Sequence, residues 1–317
     1  MGNHTFINLN TMEDTEKSAS KINLEEELTP NHFSEEVRKI QAKYNIIGRR
    51  REILLLLLAL RAKKHVILEG VVGTGKTYLA RAIADYANHH FYRVDGSEDV
   101  LSHTLTGYYD PPAVLNHGYI EDSFLFGPLA LAMKEGGCLF INELNRIPES
   151  TQNILLSALD ENTLIIPKLG KIEASDNFFT IATQNPEAHV GVSALGEALK
   201  DRFVWIEVDY QSEEEEIEIV KLNLAPSAVH LQLISTMAVK ITDMTRSHPD
   251  LRRGASIRGA IDLAKLIEAY GTKPGLNFWK HAAIMALYPK VELMDGSDRN
   301  IKKIIEEIVD TVYTHFH

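Results

Sequence analysis

The chain predicts a three-layer α/β fold with a parallel sheet, followed by a smaller all-helical unit. Three observations carry this. Five short β-rich runs, at 66–68, 91–94, 138–141, 178–183 and 204–208, alternate with helical segments, the pattern of strands joined by crossover helices. The first run leads into a glycine-rich loop and then a helix. After Tyr210 the strand signal fades and helical periodicity continues to His317.

Taken in order, residues 1–28 are polar and aperiodic and read as a flexible N-terminal arm. Thr29 and Pro30 form a cap with proline at the first helical position. Phe33, Val37, Ile40 and Tyr44 share one helical face, and a second helix covers 50–63. Two spacers exceed a simple crossover: 97–127, with Gly107, Tyr108, Tyr109, Pro111, Pro112 and Gly118, and 162–177, whose alternating core reads as a hairpin. The run Ser212-Glu213-Glu214-Glu215 is a capping box, and the carboxylates at 213–216 are expected to complement a helix dipole. The expected division is therefore the arm 1–28, an αβα domain over 29–210 and a helical lid domain over 211–317.

Size and composition bound the function. With 317 residues, 44% hydrophobic and 24% charged, the chain has material for two domains. A net charge of −11 argues against non-specific nucleic-acid binding, which rests on neutralising phosphates, though it leaves room for a local basic groove. The single cysteine, Cys138, rules out a disulfide framework within the chain and points to a reducing, cytoplasmic setting. The polar start does not read as a signal peptide, and Phe6 stands where a myristoylation motif wants Ser or Thr. The longest apolar run, 53–60, is too short to span a bilayer, so no membrane partner is expected.

The chemistry begins at Gly70-Val71-Val72-Gly73-Thr74-Gly75-Lys76-Thr77, a complete phosphate loop between a strand and a helix that starts at Tyr78. Its glycines let backbone N–H groups turn around phosphate oxygens, and the helix start adds unpaired N–H groups and a positive dipole end. Lys76 supplies charge for the outer phosphates of a nucleoside triphosphate, and the Thr77 hydroxyl suits Mg²⁺. A second constellation is the apolar run 138–141 followed by Asn142 and Glu143. The carboxyl ends of parallel strands form the active edge, which places Glu143 to act on water as a base or as an orienting group.

The run 138–143 resembles the Walker B segment of AAA+ ATPases, with Asn142 where that family has the aspartate supporting Mg²⁺. An amide oxygen still accepts a hydrogen bond from metal-bound water but brings no charge, so weaker Mg²⁺ retention is expected. Glu143-Leu144-Asn145-Arg146-Ile147-Pro148, Ala182-Thr183-Gln184-Asn185-Pro186, Leu199-Lys200-Asp201-Arg202-Phe203 and Gly254-Ala255-Ser256-Ile257-Arg258 resemble, in order and spacing, four motifs of MoxR-type AAA+ ATPases over roughly 46–270. The resemblance implies an AAA+ P-loop NTPase fold and a set of roles. Asn185 would be sensor 1, against a turn-forming asparagine before Pro186. Arg202 would be an arginine finger acting on the neighbouring subunit's nucleotide in a ring, usually a hexamer, against a surface salt bridge. Arg258 would be sensor 2, capped by Ser256 in the first turn of a helix ending near Gly271, with Arg252 and Arg253 as neighbours able to take its place. Ile47 and Gly48 would border the adenine. The two insertions correspond to the family's helix-2 insert and pre-sensor-1 hairpin, where Tyr108 and Tyr109 would either grip a client or pack the insert.

The resemblance implies slow, oligomer-dependent ATP hydrolysis coupled to remodelling, assembly or maturation of a partner, including metal-cofactor insertion, with partners that often carry a von Willebrand A domain. Two alternatives remain: a nucleic-acid translocase subunit, and a low-turnover nucleotide-gated scaffold suggested by Asn142. His89, His90, His230 and His248 show no metal-ligand spacing.

Overall fold

The computed structural model describes residues 31–185, 195–226, 230–271 and 274–316. The expected arm, the cap at Thr29 and Pro30, and Pro186 lie outside them. Helix α1 (Asn31–Tyr44) buries Phe33, Val37 and Ile40, the face its spacing predicted, against α2 (Arg50–Arg61). Strand β1 (His65–Glu69) feeds the phosphate loop and α3 (Lys76–Tyr86), and β2 (Phe91–Asp95) follows.

The insert at 97–127 folds as α4 (Ser102–Thr106), β3 (Gly107–Tyr109), α5 (Pro111–His117) and β4 (Phe124–Phe126), with β3 and β4 antiparallel. Next come α6 (Pro128–Glu135), β5 (Cys138–Asn142) and α7 (Glu149–Asp160). The predicted hairpin is present as β6 (Thr163–Ile166) and β7 (Gly170–Glu173). The Lys168 ammonium lies 3.2 Å from the Tyr119 ring centroid, so hairpin and insert touch. The domain closes with β8 (Phe179–Gln184), α8 (Glu197–Lys200) and β9 (Phe203–Glu207).

The five sheet strands run parallel in the order β2-β5-β8-β1-β9. Side-chain alternation then sorts residues to two faces. Cys138, Phe140, Phe179, Ile181, Val66 and Leu68 join α1, α2 and α3 in one core. Leu139, Ile141, Ala182 and Ile67 join α4, α6 and α7 in the other. Three layers result, as the alternating pattern predicted.

A third core lies wholly within 217–312, built by α9 (Glu213–Leu222), α10 (Leu231–Arg246), α11 (Ile257–Tyr270), α12 (Leu276–Leu287) and α13 (Ile301–Phe316). This region is helical, as the sequence had suggested, apart from one short two-stranded ribbon. Strands β10 (Leu251–Arg253) and β11 (Glu292–Leu293) form an antiparallel ribbon. Two or three residues are too few to show a period of two, and the ribbon is tied by side chains: Arg252 and Arg253 both reach the Glu292 carboxylate at 2.8 Å.

His65 opens β1 in a buried slot between the Phe178 and Phe203 rings, with centroids at 5.6 and 6.4 Å. Its Nδ1 accepts the Thr180 N–H at 3.0 Å, and burial pushes the imidazole down to about 4. The neutral ring is therefore part of the native state. Its stabilisation is complete above the unfolded value near 6.5 and is lost as pH falls toward 4. Between pH 7 and pH 5, the wild type should lose about 2 kcal/mol more unfolding free energy than His65→Gln, as measured by denaturant titration.

Candidate active site

The phosphate loop is pressed against the helical unit. Gly73 has φ +90°, and a Cβ there would lie 2.3 Å from Ser256 Oγ. Glycine is required both by the backbone and by the approach of Ser256. Ser256 stands at the N-cap position of α11 but makes no side-chain capping hydrogen bond, contrary to the sequence expectation, because its side chain faces the loop. Lys76 Nζ donates to the carbonyl oxygens of Gly70 and Val71, both at 2.7 Å. Burial pushes Lys76 down to about 8; Glu143 pulls it up, and Arg258 and Arg49 push it down.

A cavity of about 430 Å³ opens beside the loop. Val72, Gly73, Gly75, Lys76, Thr77 and Tyr78 line one side, and Asn142, Glu143, Thr183, Asn185 and Arg258 the other. The residues singled out on three sheet strands and on α11 thus meet in one place. Of the three candidate arginines, Arg252 and Arg253 are held by Glu292, and only Arg258 lines this cavity. Arg81 and Arg93 line it as well, which the sequence reading missed. With Lys76 and Arg258 they surround the space with four cationic groups facing one carboxylate, Glu143, in a chain of net charge −11. The available signal was an arginine within an apolar β-run, two residues from its carboxyl end.

The acid edge is held by strand-end hydrogen bonds. Glu143 has φ 56° and ψ 56°, a left-handed conformation that costs a non-glycine residue roughly 1 kcal/mol or more. Its N–H donates to Thr183 Oγ1 at 2.9 Å, and its carboxylate pairs with Arg146 at 2.8 Å. Thr183 Oγ1 donates to Asn142 Oδ1 at 3.1 Å, and Asn142 Nδ2 donates to Asp95 Oδ1 at 3.0 Å. Arg93 clamps Asp95 with three hydrogen bonds of 2.6–3.1 Å and holds its carboxyl below the usual range.

A second cavity, about 410 Å³, adjoins the loop and is mostly apolar. Ile47 and Tyr78 line it with Ile46, Tyr210, Ile219 and Leu222. Gly48, expected here, is not among the lining residues; it has φ +63°, and a Cβ would collide with the Glu215 carboxylate at 2.2 Å. Arg49 is buried and donates to the Thr74 and Asp209 carbonyls at 2.9 and 2.7 Å, joining the loop to the end of the sheet. The capping box is half formed: Ser212 Oγ accepts the Glu215 N–H, while the Glu215 carboxylate accepts from Gln211. Glu216 is more than a dipole partner, since it is buried, lines this cavity and takes two hydrogen bonds from Arg246 at 3.0 and 3.1 Å. Burial nonetheless leaves its carboxyl above the ordinary value.

Arg202 does not line either cavity. It pairs with Asp160 at 2.8 Å, and its buried Nε has no hydrogen-bond partner among the described residues. In the insert the two tyrosines divide: Tyr109 packs edge-on against Tyr119 and Phe124, while Tyr108 is exposed.

Residues 65–203 match the AAA domain of the dynein-related subfamily. The uncharacterized protein YeaC of Bacillus subtilis is 32% identical over 249 residues, covering 71% of this chain and 75% of YeaC. The uncharacterized protein YojN of the same organism is 38% identical over 156 residues, 49% of this chain and 50% of YojN. A point mutant of RuvB from Thermotoga maritima shares the fold with 20% identity and a TM-score of 0.50, over 84% of this chain and 70% of RuvB.

The depressed value of Lys76 makes a measurable prediction. Near pH 8 its amine is half protonated in the free protein, and a bound triphosphate favours the ammonium. Binding of ATP should therefore take up protons at pH 8 and weaken as pH rises from 7 to 9. Calorimetry at pH 8 in two buffers of different ionisation heat should detect the uptake, and Lys76→Arg should abolish it.

Proposed function

This chain belongs to the dynein-related AAA family, and from that membership and the cavity geometry we propose that it is a MoxR-like ATPase working in a ring, most simply a hexamer. One observation carries the reading: Lys76, Thr77, Glu143, Asn185 and Arg258 line a single cavity. In this reading residues 29–210 form the nucleotide-binding domain and 211–317 the lid.

Each group then has a task. The loop's N–H groups and Lys76 bind the phosphates. The apolar cavity beside Ile47 and Tyr210 takes the base. Glu143 accepts a proton from, or orients, the attacking water, and Asn185 holds that water or the γ-phosphate. Arg258 brings a cation to the phosphates from α11. Thr77 and Asn142 line the same cavity from opposite sides, and a hydroxyl and an amide oxygen are the hard donors that Mg²⁺ accepts, so the residues fit that ion. When bound, Mg²⁺ neutralises charge on the β- and γ-phosphates.

Arg202 lies away from its own cavity, which suits service to a neighbour's nucleotide. The exposed Tyr108 on the insert suits contact with a client. The work coupled to hydrolysis is chaperone-like remodelling or maturation of a partner protein, metal-cofactor insertion included; a partner bearing a von Willebrand A domain would be a separate chain.

Mixing two inactive variants tests the reading. Glu143→Gln should bind ATP but hydrolyse it ~10²-fold or more slowly. Arg202→Ala should lose ~10³-fold or more if the guanidinium stabilises the transferring phosphoryl group. Together they should regain activity, because a Glu143→Gln subunit offers an intact Arg202 to an Arg202→Ala neighbour. No recovery on mixing rejects a shared site. Equal, negligible rates for wild type and Glu143→Gln would favour the nucleotide-gated scaffold.

A further inference from the structure

We propose that Asp95 supplies, from the neighbouring strand β2, the negative charge that Asn142 lacks, so that the two side chains together support the metal as one aspartate does in other phosphate-loop sites. This rests on the reading of the cavity as a Mg²⁺–nucleotide site.

Asp95 and Asn142 are direct partners in the β2–β5 register. The Gly96 N–H donates to the Asn142 carbonyl at 2.7 Å, and a Cβ on Gly96 would fall 2.2 Å from the Glu143 carbonyl oxygen, so the two strand ends are locked together. Across this fixed register Asn142 Nδ2 donates to Asp95 Oδ1 at 3.0 Å. An ionised carboxylate only accepts, so it must face the amide's NH₂ end. The amide oxygen is thereby turned to the hydroxyl of Thr183, which lines the phosphate cavity and also receives the Glu143 N–H. A continuous chain of hydrogen bonds thus runs from Asp95 through Asn142 and Thr183 to the backbone of Glu143.

The same geometry explains why residue 142 is not an acid. An aspartate there would oppose the Asp95 carboxylate at hydrogen-bond distance, with no proton between them. Asn142 lines the cavity and Asp95 does not, so the Asp95 charge acts from behind, through the Asn142 amide it orients; Arg93 engages Asp95 from the other side, with Oδ2 accepting only the Arg93 Nε among the described residues. Charge has been moved by one strand, and asparagine is the residue that tolerates the move.

The test is a Mg²⁺ titration of the affinity for a fluorescent ATP analogue, read as binding and not as turnover. Asp95→Asn should raise the Mg²⁺ concentration needed for half-enhancement by ~10- to 100-fold, the usual effect of losing a group behind a metal ligand. Metal-free affinity should stay the same. Asn142→Asp alone should not lower the Mg²⁺ requirement, because the second carboxylate is repelled by Asp95. The exchange Asp95→Asn with Asn142→Asp should restore the wild-type requirement or better. The proposal is overturned if Asp95→Asn leaves the Mg²⁺ requirement unchanged. It is equally overturned if that variant changes metal-free affinity by the same factor, since Asp95 would then serve only to hold Arg93. Tightening by Asn142→Asp alone that equals the exchange would also sink it. A wild type that binds the analogue neither with nor without Mg²⁺ removes the nucleotide reading and this inference together.

Discussion

Strands that all run one way leave all their carboxyl ends at one edge, and the rest of this molecule depends on that constraint. β1 delivers the phosphate loop, β5 ends in Asn142 and leads directly to Glu143, and β8 leads to Asn185. In the order β2-β5-β8-β1-β9, β8 lies between β5 and β1, so the acid edge and the phosphate loop are separated by one strand. Thr183, near the end of β8, fills that interval and hydrogen-bonds both Asn142 and the Glu143 backbone. An antiparallel neighbour would have sent one of these groups to the opposite edge, about 17 Å away across a five-residue strand.

Much of this was legible in the sequence because it depends on local chemistry. The loop needs glycine where it turns and lysine where charge is wanted, and both are written at fixed spacing in 70–77. The central strands β1, β5 and β8 announced themselves as apolar runs because both their faces are covered. The groups that escaped notice do their work through distant partners. Arg93 looks like an ordinary arginine in a strand until the sheet sets it beside Asn142 and Glu143. Glu216 sits in a run of four glutamates, and only the packing of α9 against α10 distinguishes it as the one that meets Arg246. Gly48 was placed near the base by resemblance, but its conformation answers to Glu215. The β10–β11 ribbon was invisible because its stability comes from Arg252, Arg253 and Glu292, about 40 residues apart in the chain.

The electrostatics of the site run against those of the chain. An acidic protein concentrates Lys76, Arg81, Arg93 and Arg258 around one cavity, where low-dielectric walls strengthen their common field. That concentration bears on Lys76: desolvation and nearby guanidinium groups lower its proton affinity until an anion compensates. Three nearby acids each have an arginine partner. Asp95 is held by Arg93, Glu143 by Arg146, and Glu216 by Arg246, each at hydrogen-bond distance.

The contact between Gly73 and Ser256 has a mechanical meaning. With no side chain on Gly73 there is no soft layer between the phosphate loop and α11. Close-packed atoms transmit displacement where a looser joint would absorb it. α11 is 14 residues long, so its far end lies about 20 Å from the loop, and a tilt at Ser256 is magnified along that arm. A shift of a few tenths of an ångström at the phosphate loop would therefore become a larger displacement at the far end of α11.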